Sequence, residues 1–332
     1  MKKIVSVLSV FVLACAVFAG GAKDAGKPVT LIYSTNCTPS DAHDKGALEF
    51  KRVLEQVSGG TMKVEYYNQG TLFKQDAEVA AVKSGDADIV YLSASWLAEN
   101  SPWVSMFSAG YVFSGYEQMT KILNGEIGKS AFARIEKEQG VLPLAAYYLG
   151  TRQINLIADK AIKTPADLKG VNLRMPGSES WIKLGKAMGA NPTPLAFSEL
   201  YLALQSKTID GQENPLPTVI NAKFYEVTKS ISVTNHLVDS VWPTINSAKW
   251  KSLTDQQKAW VMEAVLAGKK VCDEQNLNRE KEAITFLEGK GLKVYYADLA
   301  AFQKTVLDAY LSDKAFTKEW DLQLLDQIRK AK

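Results

Sequence analysis

The sequence predicts an α/β fold with two domains. Runs of β-branched and aromatic residues alternate with segments of helical periodicity, a pattern typical of largely parallel sheets covered by helices. The 332 residues also exceed the size at which one hydrophobic core stops growing. Residues 254–288 lack proline, contain only Gly268 as an internal breaker, and begin with a capping-box pattern at Thr254 and Gln257. At 1.5 Å per residue they predict a helix of roughly 50 Å, long enough to run along both domains.

The remaining elements follow from local patterns. Thr38, Pro39 and Asp41 have side chains favoured at a helix start, so a helix is predicted from there to Gly59. The other predicted helices are residues 75–83 and 197–205. Strands are predicted at residues 29–35, 62–67, 87–93, 141–149, 171–175, 231–235 and 292–296.

The beginning of the chain indicates export. Residues 1–19 have two lysines, an uncharged apolar run and small residues at the end, which is the pattern of a secretory signal peptide. Val17 and Ala19 suit the positions before a cleavage site. A second interpretation stays open, because the sequence around Cys15 loosely resembles a lipobox, which would place a lipid anchor there. Both interpretations predict a periplasmic protein, and no later segment has the apolar length of a membrane span.

Composition and motifs argue against several function classes. The formal net charge is only +3 and no dense basic stripe is present, so nucleic acid is not expected as a partner. Metal, nucleotide and nucleophile motifs are absent, and no cofactor is expected. The two histidines, His43 and His236, are interpreted as an exposed helix residue and a strand-end residue with structural hydrogen bonds. A hydrolase with a pair of carboxylates stays open, because such a pair leaves no local signature.

Two cysteines, Cys37 and Cys272, follow the predicted signal peptide. Export permits a disulfide between them. Two separate buried thiols are the other interpretation, because the sequence does not show whether the two Cα atoms approach each other.

Three polar residues between positions 150 and 236 are candidates for a site. Arg174 lies within an apolar strand, where its charge needs a partner, either an acid within the protein or a ligand. Arg152 follows the predicted strand 141–149 at a turn, where a surface role is the ordinary interpretation. Asn214 precedes Pro215 in a predicted turn, where asparagine is common for local reasons.

Five motifs in the same region together resemble one family. They are GTRQ at 150–153, LRMP at 173–176, PTPLAFSELYLALQ at 192–205, DGQENP at 210–215 and KFYEV at 223–227. The chain from about Lys27 to its end is similar to the solute-binding proteins of tripartite ATP-independent periplasmic (TRAP) transporters, the DctP family, and most similar to its sialic-acid-binding members.

The resemblance implies a non-enzymatic periplasmic binding protein of clamshell shape. Hinge strands would join two α/β domains, a long helix would span both, and the ligand would lie in the cleft between them. The first domain would comprise residues 24–150 plus 240–279, and the second residues 151–239 plus 280–332. The implied partners are an organic acid and the small and large integral membrane subunits of the transporter, with the binding protein itself a monomer. A ligand-sensing role beside a receptor stays open.

The resemblance also implies roles for individual residues. Arg174 matches the arginine that holds the ligand carboxylate through two parallel hydrogen bonds, a geometry that suits the planar guanidinium. Arg152 matches a second arginine on the same carboxylate, and Asn214 an asparagine beside it. Phe197 matches an aromatic residue that packs on the ligand body. Asn36 matches a polar contact from the opposite domain.

Two departures from the pattern bear on the ligand. Gln75 and Ser93 stand where the sialic-acid binders carry acidic residues that serve the polar tail of the sugar. The sequence therefore favours a different carboxylate-bearing acid, either a sugar acid or a C4-type dicarboxylate, and sialic acid stays as an alternative.

Overall fold

A sheet of ten strands forms the centre of the protein in the computed structural model, which describes residues 28–331. Its path runs β2-β1-β3-β9-β5-β8-β6-β7, and both β4 and β10 pair with β9. The strands are β1 Val29–Ser34, β2 Met62–Tyr67, β3 Ile89–Leu92, β4 Val141–Pro143, β5 Tyr147–Leu156, β6 Asn172–Met175, β7 Asn191–Pro194, β8 Gly211–Pro215, β9 Ser230–Asn246 and β10 Lys293–Tyr296.

The pairing directions divide this sheet into two halves. In one half β1 pairs in parallel with β2 and β3, and in the other β6 pairs in parallel with β7 and β8. The 17-residue β9 connects them. Its C-terminal part is antiparallel to β3 and β4, while its N-terminal part pairs with β10, and β5 lies antiparallel beside most of it. The α/β class predicted from the sequence is confirmed.

Helices cover the sheet and fill the connections. They are α1 Ala42–Val57, α2 Glu78–Ser84, α3 Ala94–Leu97, α4 Tyr116–Leu123, α5 Glu126–Gln139, α6 Glu179–Ala187, α7 Leu200–Gln205, α8 Leu216–Asn221, α9 Ser247–Ser252, α10 Asp255–Gly289, α11 Leu299–Ser312 and α12 Leu322–Lys330. Short 3₁₀ helices occur at Pro102–Ser108, Pro165–Leu168, Phe197–Glu199 and Phe224–Glu226. Within residues 28–331, none of these helices has both the length and the apolar character needed to cross a bilayer. The predicted signal peptide and the alternative lipid anchor at Cys15 lie outside the described residues.

The long helix α10 has 35 residues, as the sequence predicts. Thr254 Oγ1 accepts a hydrogen bond from the Gln257 backbone, and Gln257 Oε1 accepts one from the Thr254 backbone, so the predicted capping box is present. Val261 and Val265 belong to the hydrophobic cluster beneath α1 and β1, whereas Leu287 belongs to a separate cluster with α8. One helix therefore packs on both halves of the protein.

Polar side chains fasten the middle of α10 to β5. Asp273 Oδ1 accepts a hydrogen bond from the Tyr148 backbone at 2.8 Å, and Asn276 Nδ2 donates to the Tyr148 carbonyl at 2.7 Å. Farther along the helix, Glu280 accepts hydrogen bonds from the Thr151 backbone and the Tyr148 hydroxyl, both at 2.7 Å. Gly150 lies between these two strand residues with φ of 129°, a conformation that disfavours side chains.

Several predicted boundaries are wrong for local reasons. Helix α1 begins at Ala42 rather than at Thr38, because the Asp41 carboxylate accepts hydrogen bonds from the backbone and hydroxyl of Thr38 and holds the preceding residues in a turn. The predicted helix 197–205 begins as a 3₁₀ turn, and the predicted strand 231–235 is only a part of β9.

The predicted strand 141–149 is interrupted. Pro143 faces Thr244 and Tyr147 faces Val241, so three residues stand opposite two residues of β9 and the ladder bulges. The side chain of Asn124 accepts a hydrogen bond from the Ala146 backbone and donates one to its carbonyl. The polar groups at the interruption are thereby satisfied, and the strand resumes as β5.

Cys37 and Cys272 are free thiols, so of the two interpretations the disulfide is not the one observed. Cys272 is fully buried in α10, and Cys37 is half-buried after β1.

The end of the chain packs across the proposed domain division. Trp320 Nε1 donates to Ser105 Oγ at 2.7 Å, and Gln118 Nε2 donates to the Ile328 carbonyl at 2.7 Å. These contacts join residues predicted for the second domain to residues predicted for the first. The domain boundaries given above stay a prediction.

Two glycines allow α1 and α10 to cross at close range. A Cβ atom on Gly268 would lie 2.6 Å from the Gly46 carbonyl oxygen and 3.0 Å from the Tyr147 hydroxyl. A Cβ atom on Gly46 would lie 2.9 Å from the Gly268 carbonyl oxygen. The glycine that looks like a helix breaker in the sequence is therefore a packing requirement, because backbone atoms cannot move aside as a side chain can.

We expect Gly268→Val to lower the free energy of unfolding by about 1–3 kcal/mol, the usual effect of overpacking a tight contact. Urea unfolding followed by circular dichroism measures the change. Gly289→Ala is the matched control in the same helix, because no neighbouring atom lies within 4 Å of an added Cβ. Equal stability of Gly268→Val and the control would contradict the close helix crossing.

Candidate ligand-binding site

A cavity of about 110 Å³ lies between the two halves of the sheet. One wall comes from residues 36–96 and the other from residues 149–241, with Asn276 of α10 between them. All seven residues assigned to the site from the sequence line this cavity: Asn36, Gln75, Ser93, Arg152, Arg174, Phe197 and Asn214. The fold thus brings together side chains that are up to 178 positions apart in the chain, from 36 to 214.

The sheet explains this convergence. Asn36 follows the carboxyl end of β1, and Ser93 follows the carboxyl end of the parallel strand β3. Arg174 lies near the carboxyl end of β6 in the other half. In sheets of parallel strands, ligands bind beyond the carboxyl ends, and here the ends of β1, β3 and β6 face the same cavity.

Arg174 is 1% exposed and forms no ion pair with any carboxylate in residues 28–331. Its Nε and Nη2 donate to the Leu195 carbonyl at 2.9 and 2.7 Å, and these are its hydrogen bonds within the described chain. Burial lowers the pKa of this guanidinium from 12.5 to about 9, partly opposed by Glu213. The protein therefore holds a buried positive charge whose remaining N–H groups border the cavity without a protein acceptor.

Arg152 has the opposite surroundings. It lies within β5 rather than at a turn, and only 3% of it is exposed, so the surface interpretation is wrong. Its guanidinium binds both oxygens of Glu213 and donates through Nη1 to Asp239 at 2.9 Å. The ring of Trp181 lies 4.5 Å from its central carbon. Two buried acids thus bind Arg152 and more than balance its charge, and the residue also lines the cavity.

Asn214 and Phe197 complete this wall. Asn214 lies within β8, not in the predicted turn, and its Oδ1 accepts a hydrogen bond from Arg152 at 3.0 Å. Its Nδ2 donates to Gln212 at 2.6 Å. Phe197 is half-buried and meets the ring of Phe224 edge-on at 5.9 Å, so its orientation is fixed by packing.

The opposite wall contains two residues that the sequence did not assign to the site. Glu78 is 2% exposed, and its Oε1 has no hydrogen-bond partner in the described part of the chain. Burial raises the pKa of its carboxyl well above the usual range, although the nearby Asn36 and Ser34 side chains partly oppose this. His43 is buried rather than exposed as predicted, and its Nε2 likewise has no partner among residues 28–331. Burial lowers the pKa of His43 to about 3, so its ring is neutral at pH 7.

Neither residue carries a local signal of this role. An acid at the start of a helix is ordinary, since it interacts well with the helix dipole, and Glu78 is the first residue of α2. Only the tertiary packing of α1 and α2 against the cavity distinguishes Glu78 and His43 from surface residues.

Ser93 lies on the same wall and donates or accepts one hydrogen bond with Ser95 at 2.6 Å.

His236 lies inside β9 and not at a strand end. Its Nδ1 is 2.8 Å from Thr234 Oγ1 and its Nε2 is 3.0 Å from Glu213 Oε2, so its predicted structural hydrogen bonds are present. Burial lowers the pKa of His236, although Glu213 partly opposes this. The ring supports the same carboxylate that neutralises Arg152.

These features define a binding site for a small anion. The walls supply one guanidinium without a counter-ion, an aromatic face and several polar atoms without partners, which is the usual composition of a ligand pocket. No group of His, Cys, Asp and Glu side chains suited to a metal ion occurs in the part of the chain that the structure describes.

Comparison with known proteins gives the family. Residues 33–317 match the DctP model, described as bacterial extracellular solute-binding protein, family 7. The chain belongs to this family, whose members are the binding proteins of TRAP transporters.

Individual relatives match about two thirds to three quarters of the chain. It is 30% identical over 257 residues to the sialic acid-binding periplasmic protein SiaP of Vibrio cholerae, covering 77% of this chain and 79% of that protein. It is 32% identical over 240 residues to the 2,3-diketo-L-gulonate-binding periplasmic protein YiaO of Escherichia coli, covering 72% and 73%. It is 30% identical over 231 residues to the C4-dicarboxylate-binding periplasmic protein DctP of Rhodobacter capsulatus, covering 68% of each.

Among solved structures, a TRAP periplasmic solute-binding protein from Roseobacter denitrificans superposes with a TM-score of 0.86 at 38% identity, covering 91% of this chain and 99% of that one. It was crystallised with bound 3-deoxy-D-manno-oct-2-ulosonic acid. The two-domain clamshell architecture predicted from the sequence is that of these relatives.

The contrast between the two arginines predicts opposite effects on stability. Arg152→Met leaves Glu213 and Asp239 buried without their partner, so we expect the free energy of unfolding to fall by about 3–5 kcal/mol. Arg174→Met removes a buried charge that has no counter-ion, so the ligand-free protein should be as stable as the wild type or more stable.

Urea unfolding of ligand-free protein, prepared by refolding, measures both variants. Arg52→Met is the control, because Arg52 lies exposed on α1 and binds Glu49 and Gln56 of the same helix. A large loss of stability in Arg174→Met, comparable with that in Arg152→Met, would mean that Arg174 has a structural role.

Proposed function

We propose that this protein captures a carboxylate-bearing organic acid in the periplasm and delivers it to the small and large membrane subunits of a TRAP transporter. The observation that carries the proposal is Arg174, a buried guanidinium whose free N–H groups border a cavity and which has no carboxylate partner in the described chain. A ligand carboxylate supplies the missing counter-ion through two parallel hydrogen bonds. The protein acts as a monomer after removal of its signal peptide.

Each of the other candidate residues has a role that fits its surroundings. Arg152, held by Glu213 and Asp239, donates to Asn214 and lines the cavity beside the same carboxylate. Phe197 packs on the body of the ligand. Asn36, Gln75 and Ser93 contact the end of the ligand that is remote from Arg174.

A sugar acid or a C4-type dicarboxylate fits this site. The relatives described above are binding proteins for sialic acid, 2,3-diketo-L-gulonate and C4-dicarboxylates, and all of these ligands carry a carboxylate. Sialic acid is the alternative ligand. The absence of acids at Gln75 and Ser93 argues against it.

The protein is proposed to be a binding protein rather than an enzyme, because the features of the cavity serve recognition of charge and shape. A hydrolase with a pair of carboxylates would turn over its substrate. A thermal-shift screen with aldonic, uronic and C4-dicarboxylic acids distinguishes the two, since a ligand at 100-fold excess over Kd stabilises a binding protein by about 2.7 kcal/mol without product formation.

Hydrogen bonds across the cleft support closure around the ligand. Asn221 Nδ2 of α8 donates to Asp41 Oδ1 at 2.9 Å, and the Glu179 backbone of α6 donates to Glu99 Oε1 at 2.9 Å. Asp41 belongs to the wall of residues 36–96, and Glu99 follows that wall in the chain. Each bond therefore joins this side of the cleft to the half that carries Arg174. Since the ligand touches both walls only when they are close, it should favour the closed state.

We expect small-angle X-ray scattering to show a smaller radius of gyration when saturating ligand is added to refolded protein. Asn221→Ala should reduce affinity, because the closed state loses one of its hydrogen bonds. An unchanged radius at saturation would contradict closure.

We expect Arg174→Ala to lower affinity for the acid that gives the largest thermal shift by more than tenfold. Truncation of one member of a buried charge pair costs about 2–5 kcal/mol, and about 1.4 kcal/mol corresponds to tenfold. Arg174→Lys should recover only part of the affinity, because the ammonium keeps the charge and loses the planar fork.

Isothermal titration calorimetry measures these affinities, with Arg52→Ala as a control arginine outside the cavity. Wild-type affinity in a folded Arg174→Ala protein would show that this arginine does not bind the ligand.

A further inference from the structure

The wall opposite Arg174 contains three buried polar atoms that have no hydrogen-bond partner in residues 28–331. They are Asn36 Nδ2, His43 Nε2 and Glu78 Oε1, and all three residues line the cavity, whereas the Arg174 wall has one such atom, Trp181 Nε1. A buried polar atom without a partner destabilises a protein, so such atoms are rare except where another molecule satisfies them. Their concentration on one wall indicates that this wall receives polar atoms of the ligand.

The charged side chains around the cavity determine how many ligand carboxylates it can pair with. Arg152 and Arg174 are the cations among the lining residues, and Glu213 and Asp239 both bind Arg152. His43 is uncharged at pH 7, because burial holds its pKa at about 3. The two arginines and the two acids carry no net charge together, and Arg174 is the lining cation that has no carboxylate partner in residues 28–331.

We infer that the cavity takes an acid with a single carboxylate, held at Arg174, and an uncharged hydroxyl-bearing remainder that faces Asn36, His43 and Glu78. It discriminates against acids with a carboxylate at both ends. This inference rests on the proposed function and narrows its ligand class from sugar acids and dicarboxylates to polyhydroxy monocarboxylates.

Hydroxyl groups match this wall in their hydrogen bonding. A hydroxyl both donates and accepts, so it can accept from Asn36 Nδ2 and donate to Glu78 Oε1 or to an unprotonated His43 Nε2. A second carboxylate only accepts, and it would lie buried near Glu78 and Asp41 with no cation of its own. Glu78 and Asp41 are either negatively charged or uncharged, so neither can neutralise the charge of a second carboxylate.

The adjoining cavity offers one further cation. Lys223 lines a second cavity that shares Asn36 and Phe197 with the first, and its side chain is exposed. Exposure weakens its attraction for an anion in the first cavity through hydration and salt screening. Lys223 therefore does not supply a second counter-charge inside the site.

Matched pairs of acids test the inference. Galactonate and galactarate, gluconate and glucarate, and mannonate and mannarate differ within each pair only at the last carbon, which is a hydroxymethyl group in the first acid and a carboxylate in the second. Calorimetric titration of refolded wild-type protein should give at least tenfold tighter binding of the monocarboxylate in whichever pair binds best.

Variants of the polar wall test its charge and its hydrogen bonding separately. Gln75→Lys places a cation at the edge of this wall and should reduce the affinity ratio of monocarboxylate to dicarboxylate by tenfold or more. Gln75→Met, of similar length and uncharged, loses the amide hydrogen bonds and should weaken both acids of a pair while keeping that ratio within a few-fold. Glu78→Leu should weaken the preferred monocarboxylate by more than tenfold, whereas Glu78→Gln, which keeps a donor and an acceptor, should change it only a few-fold. Thermal unfolding establishes that each variant is folded.

The outcomes distinguish this inference from the proposed function. If the wild-type protein binds a dicarboxylate as tightly as its monocarboxylate partner, the inference is overturned and the proposed function stands. If Glu78→Leu binds the preferred acid like the wild type, the assignment of the hydroxyl-binding wall is overturned. If no acid of the three pairs or of the C4-dicarboxylates binds, the proposed function fails, and the inference fails with it.

Discussion

The buried ion cluster of Arg152, Glu213 and Asp239 is the constraint on which the site depends. Its three members come from β5, β8 and β9, the strands where the two halves of the sheet meet, and His236 extends it by binding the same glutamate. The cluster fixes these strands next to one another through charge-assisted hydrogen bonds. It also occupies the guanidinium of Arg152, so Arg174 is the lining arginine left without a carboxylate partner in residues 28–331. The same set of contacts thus holds the strands together and leaves one of the two arginines unpaired.

Much of the architecture could be predicted because its signals are local. The strand Met62–Tyr67 and the helix α10 have the predicted positions, since apolar patterning and a capping box depend only on neighbouring residues. The errors arise where distant contacts override local preferences. Asp41 binds Thr38 and delays a helix, and the bulge after Pro143 depends on Asn124. Neither contact leaves a pattern in the adjacent sequence.

The candidate site also divides into residues that have a local sequence signal and residues that are placed by distant contacts. The motifs around Arg174 and Asn214 identify positions that do line one cavity, but they do not show which arginine is neutralised within the protein. Arg152 looks like a turn residue because its partners Glu213 and Asp239 are 61 and 87 positions away. His43 and Glu78 were missed for the same reason, since helical acids and histidines are commonly exposed and only the packing of α1 and α2 buries them.

The attachment of α10 to β5 has a mechanical consequence. Asp273, Asn276 and Glu280 bind the strand beside Gly150, whereas the two ends of the helix pack on separate hydrophobic clusters. If the helix rotates about this attachment, its two ends move in opposite directions. A rotation of about ten degrees there displaces the ends of a roughly 50 Å rod by about 4 Å relative to the strand. A displacement of that size exceeds the length of a hydrogen bond, so a rotation of about ten degrees beside Gly150 would be enough to break or form contacts at the helix ends.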